Sequence, residues 1–233
     1  MTSSAGTSGS ADGNAAPGRR AAGLILAAGA GTRFASAVSA AGVSGAAWAS
    51  RGSGGFRGES ESKLLAELDG RPLLSYAVEA MCAVTAVSPV VVVLGFGAEE
   101  IRARVSFGRA SAVVCPDWQQ GQAASLRCGL RALSEADRVI VTLGDEPLVS
   151  SEVIARFVDA QVGSRAVYRG QPGHPVLLGA QHISALMALR GDRGARDLLR
   201  GGPTIECGEL CSGRDVDTPE DLQAIRDDAR AAV

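Results

Sequence analysis

Short apolar runs rich in β-branched residues recur along this chain, each followed by a segment with apolar residues at helical spacing, and this alternation restricts the fold more than any other feature. Strands are predicted at residues 23–27 (GLILA), 89–94 (PVVVVL), 112–115 (AVVC) and 139–143 (VIVTL), with weaker signals at 166–169 and 204–207. Between them, residues 72–84 place Leu73, Leu74, Ala77, Met81 and Val84 at helical spacing with Pro72 in the first turn, and residues 122–133 align Leu126, Leu130 and Leu133. Ser150 or Ser151 can cap a helix through Ala160, residues 181–189 supply another, and Thr218-Pro219-Glu220-Asp221 opens a last one as a cap followed by proline. Strand–helix alternation of this kind predicts an α/β sheet with right-handed crossovers, whose ligands sit beyond the carboxyl ends of the strands.

The 233 residues suffice for one large domain with a substantial core. A formal net charge of −2 offers no basic surface of the kind duplex DNA or RNA requires, so no nucleic-acid partner is expected. Five cysteines (Cys82, Cys115, Cys128, Cys207 and Cys211) form no CxxC pair and no secreted framework, which predicts reduced thiols and a cytoplasmic protein. Cys207 and Cys211 lack a second pair or a nearby histidine to complete a metal site and are read as buried or incidental. Arg19-Arg20 precedes an apolar run, but that run is ten residues long and enters a Gly-rich turn, unlike an export signal. Residues 1–20 are read as a disordered tail and 21–230 as the domain; no run of 18 apolar residues supports a membrane span.

One segment breaks the pattern. Residues 35–62 contain 20 Gly, Ala or Ser among 28 and lack periodicity, so they are expected to be a low-complexity insertion, with Trp48 and Phe56 leaving open the alternative of a lid. It ends at the chain's single lysine, Lys63; the other 22 basic residues are arginines.

The candidate chemistry lies at strand ends. The first strand runs into Leu26-Ala27-Ala28-Gly29-Ala30-Gly31-Thr32-Arg33, where small residues let backbone amides approach a polyanion and Arg33 adds a bidentate donor, although a tight turn explains the glycines equally well. The stretch is neither a Walker A motif nor a GxGxxG fingerprint. Asp145, after Gly144 at the end of another strand, either begins a turn or directs a hard oxygen ligand at Mg²⁺. Asp217 precedes the last helix and could face the same ion, while Glu220 and Asp221 suit the helix dipole. Ser125, following Gly121, either reads a base edge or phosphate or caps its helix; His174 sits in what is expected to be a loop.

In order along the chain, Leu26-Ala27-Ala28-Gly29-x-Gly31-x-Arg33, Lys63-Leu64-Leu65, Gly121 through Ser125-Leu126, Gly144-Asp145-x-Pro147, Gly173-His174-Pro175, Gly191-Asp192-x-Gly194-Ala195-Arg196 and Asp215-Val216-Asp217-Thr218-Pro219-Glu220-Asp221-Leu222 resemble the MobA-like nucleotidyltransferases, and within them the molybdenum cofactor cytidylyltransferase branch. The resemblance implies a Rossmann-like, mostly parallel sheet with helices on both faces, of the nucleotide-diphospho-sugar transferase type. It implies a nucleotide site at Leu26, Ala27, Ala28, Gly29, Gly31, Arg33, Lys63, Gly121, Ser125 and Asp145, with Arg33 and Lys63 catalytic, Asp145 and Asp217 holding Mg²⁺, and His174 binding substrate. The substrates implied are CTP, or another NTP, and a molybdopterin-type phosphorylated acceptor, with a molybdenum hydroxylase as a possible recipient. The L-A-A-G form at residues 26–29 and DVDTPEDL at 215–222 resemble the cytidylyl branch rather than the guanylyl one. The insertion at 35–62 departs from the family pattern. Three alternatives stay open: a transferase using GTP or another acceptor, an NAD(P)H-dependent oxidoreductase of the nicotine-blue type, and a non-catalytic cofactor-binding module.

Overall fold

The computed structural model describes residues 20–40, 61–188 and 199–231. In chain order these form β1 (Ala21–Ala27), α1 (Thr32–Ala40), a 3-10 turn (Lys63–Leu65), the short strands β2 (Glu67–Leu68) and β3 (Arg71–Pro72), α2 (Leu73–Ala83), β4 (Val87–Leu94), α3 (Ala98–Arg104), β5 (Ser111–Val114), α4 (Gln122–Ala132), β6 (Arg138–Leu143), α5 (Ser151–Ala155), β7 (Arg165–Tyr168), β8 (Gln171–Gly179), α6 (Ala180–Ala188), β9 (Thr204–Glu206) and α7 (Pro219–Ala231). The central sheet has seven strands in the order β5-β4-β1-β6-β8-β7-β9. β5, β4, β1 and β6 are parallel, β8 pairs antiparallel with both β6 and β7, and β9 is parallel to β7. This is the mostly parallel α/β architecture with helices on both faces that the sequence predicts.

Alternate residues of the central strands feed opposite layers. Ile25, Val92 and Ile140 join Leu74 and Met81 of α2, Ile101 of α3 and Ile154 of α5 in one core. Leu24, Val91, Val93 and Val141 face the other, against Leu126 and Leu130 of α4 and Leu186 of α6. Both faces of β1 and β4 are thus dry, which is why these strands read as continuous apolar runs. Gly129 permits the close approach of α4, because a Cβ there would collide with Leu24.

Four features differ from the sequence expectations. The stretch around His174 is strand β8 rather than a loop: Tyr168 pairs with Gln171 across Arg169-Gly170, both at positive φ (51° and 82°), and its prolines and glycines mask the strand signal. The helix expected through Ala160 ends at Ala155 and continues as tighter turns, Phe157 N–H and Val158 N–H each reaching back three residues, at 3.0 and 3.1 Å. Ser125 does not cap α4; Gly121 occupies that position, and Ser125 is buried inside the helix. Within 35–62, residues 35–40 belong to helix α1; residues 41–60, with Trp48 and Phe56, lie outside the described residues, as do the tail before Arg20 and the motif at 191–196.

Helix α1 is packed. Phe34 and Val38 are buried against Leu222 and Ile225 of α7 and against Leu68, Leu73 and Val216, forming a third core below the loops at the strand ends. Phe34→Ala should therefore lower unfolding free energy by about 3–5 kcal/mol, measured by urea denaturation; a loss below about 1 kcal/mol would show that α1 is not held by that core.

Candidate active site

Two loops and a turn converge beyond the ends of β1 and β6. After β1 the chain turns through Gly31 at φ 61°, and a Cβ there would stand 2.8 Å from Lys63 Cγ, so glycine is what allows the lysine stem to lie against this loop. Lys63 is fixed from its own backbone outward. Ser62 Oγ accepts from Leu64 N–H at 3.4 Å, Leu64 and Leu65 enter the core, and the buried Glu61 carboxylate is paired with Arg104 of α3.

The Lys63 ammonium donates to three acceptors: Asp145 Oδ2 at 2.7 Å, Asp217 Oδ1 at 2.8 Å and the Val216 carbonyl at 2.9 Å. An ammonium has three donors, so all are engaged. Burial pulls the Lys63 pKa down, but the two carboxylates outweigh it and the net shift is upward. The hydrogen bond from Lys63 holds the Asp217 carboxyl below the usual range against partial burial, with Arg33 helping through Nη1 to Oδ2 at 2.6 Å. Asp217 is positioned by the cap of α7: its N–H and that of Thr218 donate to Asp221 Oδ2 at 3.1 and 2.8 Å, and Asp221 N–H returns to Thr218 Oγ1 at 3.2 Å. Val216 N–H donates to the Asp145 carbonyl at 2.9 Å, tying the loop after β6 to the loop before α7.

These groups open onto a cavity of about 300 Å³ whose wall includes Leu26, Ala27, Gly29, Gly31, Thr32, Arg33, Lys63, Asp145 and Asp217. A second cavity of about 120 Å³ is lined by Gln122, Ala123 and Leu126 of α4, Val141, Arg165, Pro172, Gly173, His174, Val176 and Leu199. Leu26 belongs to both walls. Of the residues singled out in the sequence, Ala28, Gly121 and Ser125 are in neither wall: Ala28 and Ser125 are buried, and Gly121 opens the helix whose first turn lines the second cavity. His174 lines the second cavity and not the first.

Sequence reasoning passed over Glu146, the spacer in Gly144-Asp145-Glu146-Pro147. Its carboxylate is 5% exposed and its Oε1 stands 3.0 Å from His174 Nδ1. Burial raises the Glu146 pKa against the pull of His174; for His174, burial acts downward and is outweighed by Glu146 and Asp145. Gln122 lies inside the Gly121-to-Leu126 motif without having been given a role, and Arg165 was missed because nothing in its local sequence marks it as a cavity residue.

Asp145 and Asp217 are the residues that could hold a divalent cation. Both reach the same nitrogen within 2.8 Å, so a cation between them can touch both, and hard carboxylate oxygens suit Mg²⁺. No group of three or more His, Cys, Asp or Glu that could hold a metal occurs among the described residues, so further ligands would come from phosphate and water. Cys207 and Cys211 are free thiols. No helix among the described residues is long and apolar enough to cross a membrane.

Residues 23–206 match the model of the MobA-like NTP transferase domain. The chain is 31% identical over 175 residues to nicotine blue oxidoreductase of Paenarthrobacter nicotinovorans, covering 69% of this chain and 85% of that protein. It is 30% identical over 122 residues to the purine catabolism protein PucB of Bacillus subtilis (strain 168), covering 48% of this chain and 60% of PucB. Among solved structures, a nucleotidyl transferase from Methanothermobacter thermautotroptrophicus shares the fold with a TM-score of 0.72 at 22% identity, over 92% of this chain and 99% of that one. Rv0371c of Mycobacterium tuberculosis H37Rv in complex with manganese does so at 0.65 and 23% identity, over 89% and 98%.

The ion cluster generates two expectations. Lys63 neutralises the place a cation would take, so Lys63→Met should bind Mn²⁺ alone about tenfold more tightly than the native chain, about 1.4 kcal/mol, read by electron paramagnetic resonance of free Mn²⁺; unchanged or weaker binding would show that Asp145 and Asp217 do not share an ion. The depressed Asp217 contributes stability that is present above the ordinary carboxylate pKa of 3.8 and lost as pH falls through its lower folded value. Lys63, raised above 10.5, keeps its contribution until the alkaline limb. Asp217→Asn should therefore flatten the acid limb of melting temperature against pH and leave the slope unchanged between pH 6 and 8, a range lying about two units or more clear of both groups' ordinary values.

Proposed function

The chain belongs to the MobA-like NTP transferase domain family, and from that premise we propose that it is a nucleotidyltransferase that transfers CMP from CTP to the phosphate of a molybdopterin-type acceptor with release of pyrophosphate. The observation that carries this reading is the convergence of Arg33, Lys63, Asp145 and Asp217 on one cavity at the carboxyl ends of β1 and β6, a constellation suited to a triphosphate with a divalent cation. In the reaction an acceptor phosphate oxygen forms a bond to the α-phosphorus, the bond to the bridging oxygen breaks, and pyrophosphate leaves with that electron pair. A phosphate monoester with a second pKa of about 6 is already ionised near neutrality, so no general base is required.

Each residue has a distinct task. Small residues 29–31 leave room for the triphosphate against the backbone. Arg33, largely exposed, clamps the outer phosphates and follows them as they depart. Lys63 offsets charge growing at the α-phosphate, and because its donors are all engaged, a phosphate oxygen must replace one of its three acceptors at the ammonium. Asp145 and Asp217 would hold Mg²⁺, which would supply charge neutralisation at the phosphates and the leaving group. His174 receives the acceptor in the second cavity. CTP is preferred over GTP on the L-A-A-G and DVDTPEDL forms at 26–29 and 215–222. The setting proposed is the cytoplasm, with a molybdenum hydroxylase as recipient of the product.

The similarity to nicotine blue oxidoreductase over 85% of that protein supports a second reading, an NAD(P)H-dependent oxidoreductase on the same fold. Ligand choice separates the two. A hundredfold excess over its dissociation constant stabilises the binding state by about 2.7 kcal/mol. CTP with Mg²⁺ should raise the melting temperature more than GTP with Mg²⁺, NADH and NADPH should raise it little, and CTP should yield pyrophosphate when molybdenum-loaded molybdopterin is added. A shift from NADPH alone, independent of Mg²⁺, would overturn the transferase reading in favour of the oxidoreductase; no shift from any nucleotide would leave a non-catalytic module.

A further inference from the structure

Glu146 is in the wall of neither cavity, yet it is the most deeply enclosed carboxylate beside the site. Its Oε1 contacts His174 Nδ1 at 3.0 Å, while Oε2 is buried with no hydrogen-bond partner. An unsatisfied buried acceptor costs about 1–3 kcal/mol, and an apolar side chain at this position would avoid that cost, so packing alone does not account for a carboxylate here. Its one partner does.

His174 is restrained from several directions. The Tyr168 hydroxyl donates to the His174 carbonyl, and Gly173 lets strand β8 pass over the Tyr168 ring, since a Cβ there would stand 2.9 Å from Tyr168 Cε2. With Nδ1 directed at Glu146, the remaining polar atom of the imidazole is Nε2, on a side chain that is 25% exposed and lines the smaller cavity. That cavity, about 120 Å³, has apolar walls at Leu126, Val141 and Val176 and polar groups at Gln122, Arg165 and His174. Its size is near the ~150 Å³ that accepts a benzene ring. The matching ligand group is a flat ring with hydrogen-bonding atoms on its edge.

We infer that Glu146 is a positioning residue: by holding His174 through Nδ1 it presents Nε2 to the polar edge of the acceptor ring, and so sets acceptor specificity without touching substrate. Glu146 directly follows Asp145, so one turn after β6 carries both a carboxylate of the phosphate cavity and the anchor of the acceptor cavity. The turn thereby couples the placement of the two cavities' polar groups. This inference rests on the transferase reading, in which His174 faces the acceptor.

The chain has two histidines, which makes the test direct. His182 Nδ1 accepts from Gly179 N–H at 3.1 Å and so carries its proton on Nε2, whereas His174 Nδ1, facing a carboxylate, should carry a proton. Long-range ¹⁵N–¹H spectra of histidine-labelled native chain, without ligands, should show Nδ1 protonated in His174 and unprotonated in His182. Glu146→Met, which keeps the length and removes the acceptor, should release His174 and leave His182 unchanged; Glu146→Gln, whose amide oxygen still accepts, should keep the native pattern. In CMP transfer from CTP to molybdenum-loaded molybdopterin, Glu146→Met should raise the acceptor KM about tenfold or more, as loss of one polar contact does, with the CTP KM unchanged and most of the effect restored in Glu146→Gln. Native-like His174 signals in Glu146→Met, or equal changes in both KM values, would overturn the inference. Absence of transfer by the native chain would remove the transferase reading, and the spectra would then decide by themselves whether Glu146 positions His174.

Discussion

One ammonium joins three separate stretches of chain. Lys63 takes its position from the core through Leu64 and Leu65, and reaches the turn after β6 at Asp145 and the loop before α7 at Val216 and Asp217. Its stem runs against Gly31 of the loop after β1. Three acceptors arranged around a point suit a compact ammonium with three rotatable donors; the flat fork of a guanidinium would satisfy two in a plane and strain toward the third. That gives the single lysine in a chain with 22 arginines a physical reason independent of any ligand. Removing it would leave two carboxylates facing one another, and such unpaired charge is a larger penalty than the net worth of the original ion pairs.

The parallel half of the sheet was legible because burial on both faces leaves no ambiguity: β1, β4, β5 and β6 all appear within a few residues of their predicted bounds. The other half was harder. β8 carries Pro172, Gly173 and Pro175, residues that argue against a strand, and only the pairing with β6 and β7 holds it extended. Helix α1 was hidden for the opposite reason: residues 35–40 have the small-residue composition of a linker, and the two side chains that anchor the helix, Phe34 and Val38, act through contacts with α7 nearly two hundred residues away. The phosphate-facing residues were legible as types at strand ends. The Glu146–His174 pair was not, because its meaning lies in a contact between the turn after β6 and strand β8 that no local pattern encodes.

The long segment between α1 and Lys63 meets the fold at two separately secured points. On the near side α1 is buried on α7; on the far side Glu61 is paired to α3 and Ser62 caps the 3-10 turn. Lys63 therefore derives its place from contacts made after the segment returns, not from the path the segment takes.

Leu26 faces both cavities, one lined by charge and the other mostly by hydrocarbon. A substitution at this one residue therefore alters the wall of both cavities at once. On the proposed reading, in which one cavity takes the nucleotide and the other the acceptor, the two specificities are expected to change together at this position.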